Sequence, residues 1–257
     1  MVWKTKQVLV TVKAYPNPSK KYGETVCVAG IDLETRKWIR LYPIPYRDLE
    51  DDKKFKKYSV IEVRTHKAQD DTRPESYKVD SDSIKVIDRY DSKNGWEKRK
   101  PLVMPTSSPS LCAIQENNRQ SGMSLGMFKP CNISFTYEKI KLQDQPKRKD
   151  CYSQKGFFTP DKKPIEEIPF DFRYQFRCCG EKNCKGHDLL IIDWEINQSF
   201  RKWRYKYKDE AVLLDKIKER WLDEICSAQK DTYFFVGNVN RFRDIFMVLG
   251  AFYPPKK

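Results

Sequence analysis

Ten residues near the C-terminal third, Cys178-Cys179-Gly180-Glu181-Lys182-Asn183-Cys184-Lys185-Gly186-His187, hold three of the chain's eight cysteines and one of its two histidines. Thiolate and imidazole are the ligands that zinc prefers, and Cys184-x-x-His187 on a glycine turn lets two side chains reach one ion. Cys178, Cys179, Cys184 and His187 are therefore the expected metal ligands. Adjacent Cys178 and Cys179 seldom both bind one ion, so a fourth ligand stays open among Cys151, Cys226, Asp188 and water. A protein ligand makes the zinc structural and a water makes it catalytic; the structural role is expected. Against it stands ordinary packing, because cysteine also behaves as a small buried hydrophobe.

Just downstream, Asp193 and Glu195 are two acids one residue apart near bases, a pattern of divalent-metal nucleases. The usual pattern adds a lysine two residues after the second acid, where this chain has Asn197. Asp193 as a helix N-cap, with Glu195 complementing the helix dipole, is the stronger expectation. Other enzyme templates fail: there is no Walker glycine loop, dinucleotide fingerprint, nucleophile elbow or zinc-deaminase signature. His66 stands alone on a predicted strand.

Two segments pair bases with aromatics. In 197–208, Arg201, Lys202, Arg204, Lys206 and Lys208 occur without one acid. Helical spacing turns Phe200, Trp203 and Tyr207 to the core and leaves Arg201, Arg204 and Lys208 for phosphates. In the first half, alternation puts Trp38, Arg40 and Tyr42 on one strand face, with Tyr46 and Arg47 on the exit loop. Rings that stack on bases and guanidiniums that hold the backbone suit single strands. The turn Arg73-Pro74-Glu75-Ser76 is expected to bring Arg73 to this surface, and Arg241 and Arg243 to form a supporting basic loop.

These side chains need a scaffold. Residues 7–13, 25–29, 37–41 and 58–65 read as strands, the middle two as a hairpin, and short strands with Pro- and Gly-bearing turns suggest a small barrel. Ser110 caps a short helix to Arg119, and strand periodicity returns over 124–130 and 132–138. Helices follow at 195–207 and 209–226, then a last strand pair at 232–236 and 245–249. The expected fold is α+β: an N-terminal antiparallel barrel region over 1–144, a basic Pro-containing linker or loop over 145–165, and a zinc-braced α/β region over 166–257.

A formal charge of +14 over 257 residues favours an anionic partner. No run approaches the length of a membrane span, and the N-terminal Met-Val-Trp-Lys lacks a secretory apolar stretch. A cytoplasmic protein with no membrane partner is expected, its cysteines serving as thiols and metal ligands.

The segments 24–31 (Glu-Thr-Val-Cys-Val-Ala-Gly-Ile), 38–47 (Trp-Ile-Arg-Leu-Tyr-Pro-Ile-Pro-Tyr-Arg) and 73–76 resemble uncharacterised prokaryotic proteins built from one or two OB- or PUA-like small barrels. Some of those sit beside mobile-element or phage-defence functions. The resemblance covers the N-terminal half well and the rest, including Asp193-Trp194-Glu195, loosely. It implies binding of nucleic acid, DNA or RNA, through a single-stranded, flipped or modified base, as one subunit among other proteins. The alternatives are a metal-dependent nuclease using Asp193 and Glu195, and a basic scaffold that docks an acidic protein.

Overall fold

The computed structural model describes residues 2–16, 24–140, 166–240 and 242–256. Arg241, Cys151 and the expected linker at 145–165 lie outside them. Six strands come first: β1 (Lys4–Lys13), β2 (Val26–Asp32), β3 (Trp38–Ile44), β4 (Ser59–Lys67), β5 (Ser76–Val79) and β6 (Lys85–Arg89). Their order is β1-β2-β3-β5-β4-β6, and an added β1–β4 ladder closes the first five into a barrel. The β2–β3 hairpin turns where the Asp32 carboxylate accepts the backbone N–H groups of Glu34 and Thr35. Val8, Val10, Val28, Ile39, Leu41 and Ile61 fill the interior.

The second half is also mostly antiparallel, where α/β layering was expected. It contains β7 (Ser107–Ser108), α1 (Leu111–Ser121), β8 (Leu125–Phe128), β9 (Pro130–Lys139), β10 (Phe170–Cys178), β11 (His187–Leu190), α2 (Trp194–Trp203), α3 (Glu210–Lys218), β12 (Tyr233–Val239) and β13 (Phe242–Phe252). One sheet runs β11-β10-β9 and another β13-β12-β8-β7. A bridge between Ile191 and Val248 joins them. Because β9 pairs with β10, residues on both sides of position 144 share a sheet. Ser110 caps α1 by accepting the Ala113 N–H, as the sequence predicts. The last helical segment stays α only to Lys218 and then widens into a π turn over Glu219–Glu224.

Strand β1 shows why the barrel surface differs from expectation. From Val8 to Lys13 every residue is buried, where alternation would expose every second one. The second half lies against the outside of the barrel, so Leu9, Val12, Phe235, Leu249 and Phe252 share one core. The same cover closes the face on which Trp38, Arg40 and Tyr42 were expected to meet a ligand. Arg40 is 4% exposed; it donates to Ser124 Oγ at 2.8 Å and stands 3.9 Å from Glu75, which accepts the Ser124 N–H. Trp38 sets its ring edge-on to Phe235 at 5.8 Å. Tyr42, half-buried, accepts a hydrogen bond from Thr25. Arg73 is buried too, paired with Asp71 at 2.7 Å and donating to the Asn238 carbonyl at 2.8 Å. Arg40 and Arg73 therefore tie the barrel to the second half, and neither is a surface contact.

Candidate functional site

Cys178 ends β10, Cys184 lies in the following turn, and His187 opens β11. Gly180 and Gly186 hold φ of 77° and 95°, which lets this short turn fold the thiol of Cys184 back over the strand ends. The backbone N–H of Cys178 donates to the Cys184 sulfur at 3.3 Å. The fourth corner is Cys112, in the first turn of α1 and outside the ligand set read from the sequence. Ser110 at the cap of that helix reaches Glu181 of the turn at 2.9 Å, so helix and hairpin meet at this point.

The Sγ atoms of Cys112, Cys178 and Cys184 lie 3.5, 3.3 and 3.4 Å from His187 Nε2, and Cys112 and Cys178 are 3.8 Å apart. All four ligand atoms fall within 4.8 Å of one another. A tetrahedron with zinc–sulfur and zinc–nitrogen bonds of about 2.3 and about 2.05 Å has S···S edges of about 3.8 Å and S···N edges of about 3.6 Å. The three sulfur–nitrogen edges and the Cys112–Cys178 edge lie close to those values, so this Cys3His set could hold a metal ion.

Its electrostatics point the same way. Burial, with the Cys178 thiol beside it, pushes Cys112 up to about 12. Cys178 is also raised by burial. Burial works against the Cys184 thiolate as well, yet backbone N–H groups of Cys178 and Gly186 bring it below the usual thiol value. Burial lowers His187, favouring the neutral imidazole that binds metals. Three thiolates so close repel one another, and a divalent cation removes that obstacle.

Cys179 faces away and is joined to Cys131 of β9 in a disulfide, Cα to Cα 5.3 Å. It is thus outside the four, and this pair departs from the expectation of free thiols throughout. Asp188 pairs with Arg173 at 2.6 Å, and Cys226 bonds to the Trp221 carbonyl, so neither supplies the fourth ligand.

A second polar cluster lies where barrel meets second half, at an antiparallel bridge between Ala14 and Asp193. Asp193 caps α2 by accepting the Glu195 N–H. Both its oxygens also accept from Lys57, at 2.7 and 2.6 Å, and Glu195 adds a longer contact of 3.4 Å. Burial opposes the Lys57 charge, but the two carboxylates hold it protonated above its ordinary range. Gly250 permits the approach, since a Cβ there would stand 3.0 Å from Lys57 Nζ and 3.3 Å from an Asp193 oxygen. A narrow crevice beside this pair, with room for about one water, is lined by Glu195, Trp221 and Tyr253 among others.

From this cluster an aromatic row runs to the surface. Trp194 lies 5.4 Å from Tyr46 and 5.8 Å from Tyr15. The Tyr15 hydroxyl donates to the Glu166 carbonyl, and the Glu166 carboxylate takes both Arg201, at 3.4 Å, and Arg204. Arg47, next to Tyr46, pairs with Glu24 at 2.7 Å. Arg47 and Arg201 both act on the Tyr15 phenol, although burial dominates and pushes it up to about 12. Tyr46 and Arg47 of the barrel thus meet Arg201 and Arg204 of α2 and its exit. Lys208 is exposed beyond them. Arg243 sits elsewhere, against Thr72. Tyr15, Trp194 and Lys57 carry no motif; only the fold reveals them.

Among the described residues, no helix is long and apolar enough to cross a membrane. A domain of unknown function, DUF8758, matches residues 4–105, and another, DUF8757, matches residues 107–257. The junction at 106 falls between the barrel and the sheets of the second half. No curated protein matches the chain. The second match spans more than half of the sequence, and the chain belongs to the DUF8757 family.

Proposed function

We propose that this DUF8757 member is a nucleic-acid-binding protein that holds an unpaired strand along the seam between an OB- or PUA-like barrel and a zinc-braced second half. The observation that carries the reading is the meeting of two basic-aromatic segments remote in sequence, Tyr46-Arg47 and Arg201 to Lys208, around Tyr15 and Trp194. Aromatic rings between guanidiniums match the needs of single strands, which offer stacking faces and phosphates together. Tyr205, 64% exposed beside Arg204, adds a ring of the same kind. Zinc is the metal proposed for the Cys3His set. Its role is structural, because four protein ligands leave no open position and the ion clamps α1 to the β10–β11 hairpin.

Asp193 supports this reading over a nuclease. Its two oxygens are committed to Lys57 and to the helix cap, so it has little capacity left for a catalytic cation. Assembly with other subunits, in a defence or mobile-element setting, is part of the same proposal.

Binding of labelled single- and double-stranded DNA and RNA across a salt series tests it. Single strands are expected to bind most tightly. Substituting Arg201, Arg204 and Lys208 together by glutamine is expected to reduce the salt slope by about 2. Magnesium-dependent cleavage would favour the nuclease, and absence of polynucleotide binding would favour a protein-docking scaffold.

A further inference from the structure

Lys13 is a buried cation that neither the metal centre nor the ion-paired contacts account for. It ends β1 with 6% of its surface exposed. Its ammonium stands 3.9 Å from the centre of the Tyr46 ring and 4.7 Å from that of Trp194. Among the described residues no hydrogen bond or ion pair holds it. Asp193 and Glu195 attract it from a distance, but Asp193 has both oxygens on Lys57, and Glu195 leans to the same ammonium. Lys57 and Lys56 repel it.

Such a placement is costly. A buried ammonium loses hydration that only a paired anion or several acceptors replace, and contacts with ring faces return part of that loss. Lys57, equally buried, shows what a satisfied lysine looks like here: a carboxylate at 2.6 Å. Lys13 has the burial without the anion. The missing partner is an oxyanion, and the surroundings say which kind. The rings of Tyr15, Tyr46 and Trp194 are half-buried rather than sealed. Among the described residues, the charges around them are six cations, Lys13, Lys56, Lys57, Arg47, Arg201 and Arg204, and four carboxylates, Glu24, Glu166, Asp193 and Glu195. The excess is positive and the walls are aromatic.

We propose that Lys13 forms the floor of a subsite for the phosphate of an unpaired nucleotide, whose base or sugar rests against Tyr15 and Trp194. This inference rests on the nucleic-acid reading and names the group that the seam recognises. Burial beside Lys57 brings the Lys13 ammonium down to about 8, the state expected of a cation lacking its counterion.

The test is thermal unfolding of the full chain with 5′-mononucleotides, adenosine or inorganic phosphate at millimolar concentration, for wild type, Lys13→Met and Lys13→Arg. Wild type and Lys13→Arg are expected to gain several degrees with mononucleotides and less with adenosine. Lys13→Met, which keeps the length of the side chain and drops the charge, is expected to fold at least as stably and not to respond. Affinity of Lys13→Met for single strands should fall about tenfold, the scale of one charge-assisted hydrogen bond. The inference is overturned if Lys13→Met loses several degrees without ligand, because the ammonium is then structural. It is also overturned if Lys13→Met responds like wild type, or if adenosine equals the mononucleotide. Wild type that answers mononucleotides yet binds no polynucleotide would sink the strand-binding reading and leave the subsite standing. Unaltered strand binding by Lys13→Met would do the reverse.

Discussion

Replacing Lys57 by methionine removes one ammonium and leaves the Asp193 carboxylate buried with its strongest partner gone. Both side chains of this pair are about one-twentieth exposed, at 6% and 5%. Burial pushes the Asp193 carboxyl up while the ammonium at 2.6 Å pulls it back. In the variant the backbone N–H of Glu195 and the more distant Lys13 ammonium still favour the charge, with Glu195 itself repelling it. The cost has a ceiling, because the carboxyl can take a proton from solvent on folding. Against an unfolded value of about 3.9, that ceiling at pH 7 is about 4 kcal/mol, from about 1.4 kcal/mol for each pH unit. Removing one partner of a buried pair costs a similar amount, about 3–5 kcal/mol. For a chain of this size the deficit corresponds to roughly 8–16 °C in Tm. The sign with pH follows: an acid with a raised folded value is relieved as pH falls, so the ceiling shrinks to about 1.5 kcal/mol at pH 5. Wild-type Asp193 is itself raised to about 6 and shares part of that relief, so the deficit narrows by about 1 kcal/mol. Thermal unfolding of wild type and Lys57→Met at pH 5 and 7, at fixed ionic strength, measures the difference. A deficit equal at both pH values would refute the reasoning, since it would report lost packing alone.

The other expectations concern metal, binding and pH. The purified chain should carry about one zinc; Cys112→Ser should lose it as readily as Cys184→Ser, and Cys179→Ser should retain it, read by metal analysis. Glu166→Gln frees two guanidiniums and should tighten single-strand binding several-fold at low salt, an effect fading as salt rises. Lys13, lowered in the fold to about 8, should destabilise the protein by about 3 kcal/mol below that pH. As pH rises through 8 toward 10.5 that cost is relieved, so the stability advantage of Lys13→Met should shrink over the same window, followed by denaturant unfolding.

Local signals carried much of the fold. The β1 strand itself, the hairpin that follows residues 25–29 and the Ser110 cap are short-range patterns, and each appears where the residues predict it, although both faces of β1 are buried from Val8 to Lys13. Three of the four metal-cluster residues were legible because they share one turn. Cys112 was not, since its 66-residue separation from Cys178 is closed only by α1 meeting the hairpin. Arg40 and Arg73 misled for a related reason. Alternation tells which face of a strand a residue occupies, but not what covers that face. Here the second half supplies Ser124 and the Asn238 carbonyl, and the arginines became interior ties.

The seam combines two ways of burying a cation. Lys57 faces Asp193 across the seam, while Arg40 and Arg73 each stand beside a barrel acid and cross the seam to Ser124 and the Asn238 carbonyl. All three therefore contribute to joining the halves and have little left for a ligand. Lys13 has no paired acid among the described residues, and its contacts on both sides of the seam are aromatic, Tyr46 of the barrel and Trp194 of α2. An apolar side chain of the same length at position 13 would keep the contacts with Tyr46 and Trp194 without the desolvation cost of the ammonium. A buried charge that lowers stability without pairing is what the proposed phosphate subsite requires. On that argument strand binding and junction stability should separate cleanly: variants at Lys57 should change unfolding first, and variants at Lys13 should change binding first.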